Sequence, residues 1–376
     1  MKTIGFNKPY FSGKEINYIE QAVKNAKLSG NGSFTNKCHT FFEERYKFKK
    51  CLLTTSCTDA LEMAAILCNI QPGDEVIAPS YTFVSTVNAF ILRGANIVFV
   101  DSRSDHPGLD EEAIEGLISP KTKVLIAVHY AGVACDMDKI LDLSKKYNLF
   151  VVEDAAQAID AYYTSKNGKR YALGSLGHFA AFSFHETKNI ISGEGGMLVI
   201  NDSEFFNRAE VIWEKGTNRS AFNKGEIDKY CWMDIGSSFL MSEINAAFLW
   251  AQLEKLDYIQ EKRTQIWDSY YEYLLEWSKL NHCFIPTIPN FASNNAHMFY
   301  LVFEEEKART FFIENLKNKG MNTVFHYQSL HTSPYYLDKH DGRELLNADR
   351  YSSCLVRLPF YVELDVMDAI NLLLKK

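Results

Sequence analysis

Leu149-Phe-Val-Val-Glu-Asp-Ala-Ala-Gln157 sets an apolar run directly before an acidic pair and a helix-forming Ala-Ala-Gln. Such a run reads as a strand buried on both faces, ending where the chain leaves a sheet. Aspartate is a poor strand former and costly to bury alone. Asp154 therefore either faces a cationic partner or caps the helix that follows. Outward from this stretch the same alternation repeats. Glu75-Val-Ile-Ala-Pro79, Ala95-Asn-Ile-Val-Phe-Val100 and Lys123-Val-Leu-Ile-Ala-Val128 carry strand signals, and Asp59–Leu67, an acidic stretch near Asp110 to Leu117, and Met137–Tyr147 carry helix signals. Apolar strands alternating with helices indicate an α/β fold with a largely parallel sheet covered on both faces, whose ligands sit at the carboxyl ends of the strands.

The flanks differ. A helical pattern near Glu15 to Ala26 leads into a polar loop, Leu28-Ser-Gly-Asn-Gly-Ser-Phe34. Past the sheet, Ser242 to Leu274 reads as one long helix, with Ile244, Ala247, Phe248, Ala251 and Leu256 near helical spacing, serving as core and connector. Strand signals at Met298 to Phe303 and Thr323 to Tyr327 follow, giving a smaller α+β unit. A chain of 376 residues exceeds what one core usually supports. The expected division is a large domain over 1–245 and a connector helix with a small domain over 246–376, the N-terminal helix being free to pack on the small domain.

Composition excludes several classes. With 47% hydrophobic and 23% charged residues and a formal net charge of −7, the chain reads as globular and a poor match to nucleic acid, which needs clustered cations. No segment approaches the roughly 18 consecutive apolar residues of a membrane span, and the Met-Lys-Thr-Ile-Gly-Phe-Asn start lacks an apolar signal core, so a cytoplasmic protein is expected. The 8 cysteines are scattered without a Cys-x-x-Cys pair, so neither a structural metal nor a disulfide framework is expected.

The chemistry is expected in Phe182-Ser-Phe-His-Glu-Thr-Lys-Asn-Ile-Ile-Ser-Gly-Glu-Gly-Gly196, where a strand over His178 to Phe184 opens into a glycine-crowded loop holding one lysine, Lys188. Upstream, Leu52-Leu-Thr-Thr-Ser-Cys-Thr58 runs from a strand end into a helix start. That order puts free N–H groups, the positive end of a helix dipole and two hydroxyls around one point, which suits a phosphate or an ordinary Ser/Thr cap. Neither the dinucleotide glycine signature nor a phosphate-loop lysine is present. Pyridoxal phosphate fits the three features together: its phosphate on the helix start, its protonated ring nitrogen on Asp154, its aldehyde condensed with Lys188. Ser183 lies within reach of the same phosphate.

On these runs, with Pro79-Ser-Tyr-Thr-Phe-Val-Ser-Thr86, His129-Tyr-Ala-Gly-Val-Ala-Cys135 and Glu214-Lys-Gly-Thr-Asn-Arg-Ser220, the chain resembles the sugar-nucleotide aminotransferases of the DegT/DnrJ/EryC1/StrS family over essentially its whole length. The resemblance implies the aspartate-aminotransferase fold (fold type I), with a mostly parallel seven-stranded sheet, and pyridoxal 5′-phosphate as cofactor. It further implies a dTDP-4-keto-6-deoxy sugar and L-glutamate as substrates, and a homodimer with shared active sites. Lys188 would hold the cofactor covalently, Asp154 pair with its ring nitrogen, Gln157 lie near its phenolic oxygen and Phe83 stack on its ring. Ser56, Cys57, Thr58 and Ser183 would form the phosphate cradle. Cys57 stands where many relatives have glycine. Ser238 occupies a place where relatives often carry an asparagine reaching across the dimer. Lys215 and Arg219 would serve the neighbouring subunit's site, and Tyr327 and His331 would contact sugar. His185, beside Lys188, is a further substrate-side candidate.

Overall fold

The apolar runs form the strands of the computed structural model, which describes residues 3–375. The strands are β1 (Lys50–Thr54), β2 (Glu75–Pro79), β3 (Asn96–Val100), β4 (Thr122–Val128), β5 (Phe150–Asp154), β6 (Tyr162–Thr164), β7 (Arg170–Ala172), β8 (Phe179–Ser183), β9 (Gly196–Ile200), β10 (Cys283–Phe284), β11 (Tyr300–Phe303) and β12 (Leu355–Arg357). The helices are α1 (Glu15–Lys24), α2 (Ser33–Tyr46), α3 (Cys57–Leu67), α4 (Ser85–Ile91), α5 (Met137–Tyr147), α6 (Phe206–Trp213), α7 (Arg219–Asn223), α8 (Glu243–Leu253), α9 (Leu256–Leu280), α10 (Glu306–Asn318), α11 (Leu346–Cys354) and α12 (Val366–Leu374).

A seven-stranded sheet has the order β1-β9-β8-β5-β4-β2-β3, and β9 alone opposes the rest. Its strands are apolar throughout because both faces are covered. Val124 and Ile126 of β4 join one buried cluster and Leu125 and Ala127 the other; Phe179 and Ala181 of β8 divide in the same way from Ala180 and Phe182. This alternation follows from the two-residue period of a strand. Parallel register aligns Val128 of β4 with Asp154 of β5, and Asp154 with Ala181 of β8, so the strands end together. The reversed β9 starts at that edge, with Gly196 opposite both Thr54 and Ser183.

A second sheet, β10-β11-β12, packs with α9 and α12 around Trp267, Tyr270, Phe299, Leu301, Val356 and Ile370. Helix α9 bridges the two parts, since Leu256 and Ile259 belong to a large-sheet core and Ile266, Trp267 and Leu274 to the small-sheet core.

Four local expectations are corrected. The single helix from Ser242 to Leu274 is two, with a turn at Glu254 and Lys255 that no glycine or proline marks. Glu254 is held there by Lys14 Nζ (2.9 Å) and the Tyr18 hydroxyl (2.8 Å). Those contacts also place α1 on α8 and the large-sheet core, which takes in Ala22, rather than on the small sheet. Near Asp110 to Leu117 only one 3-10 turn forms, at Glu115–Leu117, because Glu111 turns inward to accept from the Asp136 amide (2.7 Å) and Arg103 (3.2 Å). Thr323 to Tyr327 is no strand. Val324 makes one bridge with Arg357, after which the chain bends to bring His326 and Tyr327 over the large sheet.

Candidate active site

The aligned strand ends open into a cavity of about 550 Å³. At one end lies the start of α3. Ser56 caps it, its Oγ accepting from the Asp59 amide (3.0 Å). The amides of Cys57 and Thr58 are the first of the helix and have no intrahelical acceptor. Thr58 Oγ1 donates to Ser85 Oγ (2.9 Å), and Ser183 Oγ receives the His185 amide at 3.4 Å. Gly196 makes this arrangement possible, since a Cβ there would lie 2.3 Å from the Ser56 carbonyl carbon and 2.4 Å from the Cys57 nitrogen. Hydroxyls and helix amides thus form an anion-binding corner.

On the floor Asp154, 7% exposed, receives Thr86 Oγ1 on Oδ2 (2.7 Å) and the Ala156 amide on Oδ1 (3.2 Å). Gln157 is fixed by the Ala131 amide, which donates to Oε1 (2.6 Å), and donates from Nε2 to the Tyr327 hydroxyl (3.1 Å). Phe83 presents a ring that is 54% exposed and 5.9 Å from that of Tyr327.

Lys188 enters from a loop folded on itself by the bonds Phe184 N–H to Gly195 O (2.8 Å), Ser192 N–H to Phe184 O (2.7 Å) and Lys188 N–H to His185 O (2.9 Å). Its neighbour Asn189 is pinned behind the wall, donating to Gln260 Oε1 (2.8 Å) and Asn295 O (3.0 Å) and bonding through Oδ1 to His297 Nδ1 (2.7 Å). Burial pushes the Lys188 amine below its ordinary pKa; Cys57 and Asp154 oppose that shift and the Arg357 charge adds to it. His297 is pushed far down by burial and then by the Lys188, Arg263 and Arg357 charges. Burial thus disfavours the charged forms of both Lys188 and His297.

Ser56, Cys57, Thr58, Phe83, Asp154, Gln157, Ser183, His185, Lys188 and Tyr327 all line this cavity. Lys215, Arg219 and Ser238 do not. They surround a separate hollow of about 190 Å³ with Lys27, Gly30 and Asn31. His331 lines neither cavity. It is 5% exposed, with Nδ1 bonded to Ser80 Oγ (2.7 Å) and Nε2 3.6 Å from Asp349, so the structure gives it a packing role and no contact with the site. A further crevice of about 520 Å³ between His106, Tyr300 and Tyr351 holds neither the lysine nor the strand-end aspartate.

Sequence reading passed over Thr86, Tyr130, His297, His326 and Arg357, which also line the main cavity. Arg357 had a signal, a lone charge inside the apolar run Leu355-Val-Arg-Leu-Pro-Phe360. The others carry none, because their place depends on how distant segments meet.

The sequence model of the DegT/DnrJ/EryC1/StrS aminotransferase family matches residues 9–373. The chain is 30% identical over 385 residues to the spore coat polysaccharide biosynthesis protein SpsC of Bacillus subtilis, covering 98% of this chain and 97% of that one. Among solved structures it is similar to the aminotransferase TlmJ of Streptoalloteichus hindustanus, with a TM-score of 0.89 at 25% identity, over 99% of this chain and 98% of that one. It is also similar to DesV of S. venezuelae, with a TM-score of 0.87 at 27% identity, over 99% and 98%.

Proposed function

The chain belongs to the DegT/DnrJ/EryC1/StrS aminotransferase family, and from that premise we propose that it transfers the amino group of L-glutamate to C4 of dTDP-4-keto-6-deoxy-D-glucose. The product on this reading is dTDP-4-amino-4,6-dideoxy-D-galactose, a precursor for surface polysaccharide. The observation that carries the reading is the convergence of Lys188, Asp154 and the α3 hydroxyl corner on one cavity. Support for this acceptor comes from the long residue runs, which resemble those of the dTDP-4-amino-4,6-dideoxygalactose transaminase of enterobacterial common antigen synthesis. The polysaccharide role printed in the name of SpsC agrees with that destination.

The family's cofactor is pyridoxal 5′-phosphate. The donor set fits it: an anion corner at Ser56, Thr58 and Ser183, a carboxylate at Asp154, and an amine at Lys188 whose Nζ has no hydrogen-bond partner among the described residues. When bound, the cofactor supplies an electron sink that stabilises negative charge on the substrate carbon.

The protein's part is positioning and proton movement. Lys188 Nζ, whose pKa burial lowers, would take the proton from the donor's α-carbon in the first half of the reaction and deliver one to C4 of the sugar in the second. Asp154 would pair with the cofactor's ring nitrogen, and Thr86 fixes the carboxylate's orientation. Gln157 and Tyr327, bonded to each other, would hold the ring on its phenolic side, and Phe83 would cover its face. His185 and Tyr327 border the space left for the sugar. In a homodimer with shared sites, Lys215, Arg219 and Ser238 would meet the partner's cavity and supply the local positive charge that a nucleoside diphosphate needs.

The test is to incubate enzyme with dTDP-4-keto-6-deoxyglucose and glutamate, and to assign C4 of the product from proton couplings. An axial amine is expected. An equatorial amine would give the glucose-configured sugar by the same chemistry, and absence of any amino sugar would reject the substrate class.

A further inference from the structure

We propose that Arg357 is the residue that receives the carboxylate of the amino donor. The argument begins with the charges of the cavity. Its cations are Lys188 and Arg357, and its acids are Asp154 and Glu194. Asp154 is engaged by Thr86 and the Ala156 amide, and Glu194 stands beside His185, 3.7 Å from its Nε2. Among the described residues no carboxylate pairs with Arg357.

A guanidinium only 9% exposed and without a counter-ion is costly to bury. What holds it is slight. Nη1 meets His326 Nδ1 at 3.1 Å, the ring of Phe6 lies 5.3 Å from the guanidinium carbon, and Nε is buried with no partner. The backbone, by contrast, is firmly placed. Arg357 pairs with Tyr300 in the small sheet and exchanges both bonds with Val324, at 3.2 and 2.7 Å. A group fixed at its root and unpaired at its tip is preorganised for an anion that arrives with a ligand.

Elimination narrows which anion. The cofactor's phosphate is served by the α3 corner at Ser56, Thr58 and Ser183. The diphosphate of the acceptor is assigned to the Lys215 and Arg219 rim, which lies outside this cavity. That assignment, and so this step, rests on the function proposed above. The amino donor is the one reactant that brings a carboxylate. Its reacting carbon must reach Lys188, and the Arg357 charge is close enough to push down both the Lys188 amine and the His326 imidazole. The planar fork of arginine pairs with both oxygens of a carboxylate, which a lysine cannot do.

The experiment uses holoenzyme and two variants, Arg357→Gln and Arg357→Lys. Glutarate, an unreactive dicarboxylate, is titrated calorimetrically. Separately, enzyme reconstituted with pyridoxamine phosphate is given the keto sugar nucleotide, so that only the sugar half of the reaction runs. Glutarate affinity should fall at least about tenfold in Arg357→Gln and by a smaller factor in Arg357→Lys, and in Arg357→Gln the sugar half-reaction, whose substrate brings no carboxylate, should fall by less than glutarate affinity does. Unchanged glutarate affinity, or a loss confined to the sugar half, would overturn the assignment. If the wild-type sugar half fails altogether, the proposed acceptor is wrong, and the glutarate titration still decides the role of Arg357.

Discussion

Glu243 offers the sharpest test of how the chain holds its N-terminal loop. The side chain, 1% exposed, sits at the start of α2. Its Oε1 accepts from the Gly32 amide (3.0 Å), the Thr35 amide (3.0 Å) and the Thr35 hydroxyl, and its Oε2 accepts from the Phe34 amide (2.8 Å). A carboxylate at a helix N-terminus is favoured by both the unpaired amides and the dipole. In Glu243→Gln one oxygen keeps its donors, while an NH₂ group replaces the other and faces the Phe34 N–H. Losing a charge-assisted bond costs about 1.5–3 kcal/mol, and leaving a buried donor unmet costs about 1–3 kcal/mol more, so the local loss should be about 3–5 kcal/mol. A chain of two packed parts need not unfold in one step, so the assay should be local. Hydrogen exchange at the amides of Gly32, Phe34 and Thr35 should quicken by at least about 100-fold, at 1.4 kcal/mol per decade. Gly32→Ala should do the same, because a Cβ there would lie 2.5 Å from Glu243 Cδ. A change below about threefold in both variants would refute the idea that this carboxylate fastens the loop. The consequence reaches the second hollow, whose wall includes Gly30 and Asn31 beside Lys215 and Arg219.

Other substitutions separate roles within the main cavity. Lys188→Arg keeps a positive charge but cannot lose a proton at working pH, so turnover should drop by at least about 10²–10⁴-fold, measured as amino sugar formed. Asp154→Asn leaves shape and a Thr86 bond but removes the fixed charge; kcat should fall by roughly two to three orders of magnitude, and a drop below tenfold would count against its pairing with a protonated ring nitrogen. In cofactor-free protein, burial depresses the Lys188 amine, so the unfolded chain binds that proton more tightly. The Lys188 contribution to stability therefore rises with pH from its folded pKa up to 10.5, and Lys188→Met should abolish that slope in urea titrations.

The large sheet was legible because its signals are local. Continuous runs such as Lys123–Val128 report burial on both faces, and Asp154 at a strand end and Lys188 in the loop after one are places that short-range patterning can find. The hydroxyl and amide corner at the start of α3 was legible for the same reason, since Ser56, Cys57 and Thr58 are consecutive at a helix start. Legibility failed where tertiary contacts decide. The turn at Glu254 depends on Lys14 and Tyr18, more than 200 residues away in sequence. His331 stands in the same run as His326 and Tyr327, which line the site, yet it is committed to Ser80 while Tyr327 faces the cavity. No pattern in Phe325-His-Tyr-Gln-Ser-Leu-His331 distinguishes the two. Asn189, His297, Gln260 and Asn295 likewise form the scaffold behind Lys188 from three separate segments.

The buried charges sort themselves by how fully they are met. Glu153, wholly buried beneath the sheet edge, accepts from His129 (2.9 Å) and from the amides of Gly174 (2.7 Å), Leu176 (2.8 Å) and Gly177 (2.6 Å). Arg263 donates to the carbonyls of Ala296 (3.0 Å) and His297 (2.5 Å). These groups are bonded into the fold, and removing either should cost stability before it costs chemistry. Lys188 and Arg357 are the contrast. Arg357 is buried and Lys188 half-buried, neither has a carboxylate within bonding distance among the described residues, and both open on the same cavity. A folded chain tolerates such groups at a cost that its packing elsewhere must offset, and the cost is recovered only when a ligand brings the missing partner. The unmet groups also lie where the geometry needs them, an amine for a carbonyl carbon and a guanidinium for a carboxylate. An aminotransferase that must handle an amino acid and a keto sugar in turn needs both, and it needs the second to be vacated when the donor's product leaves.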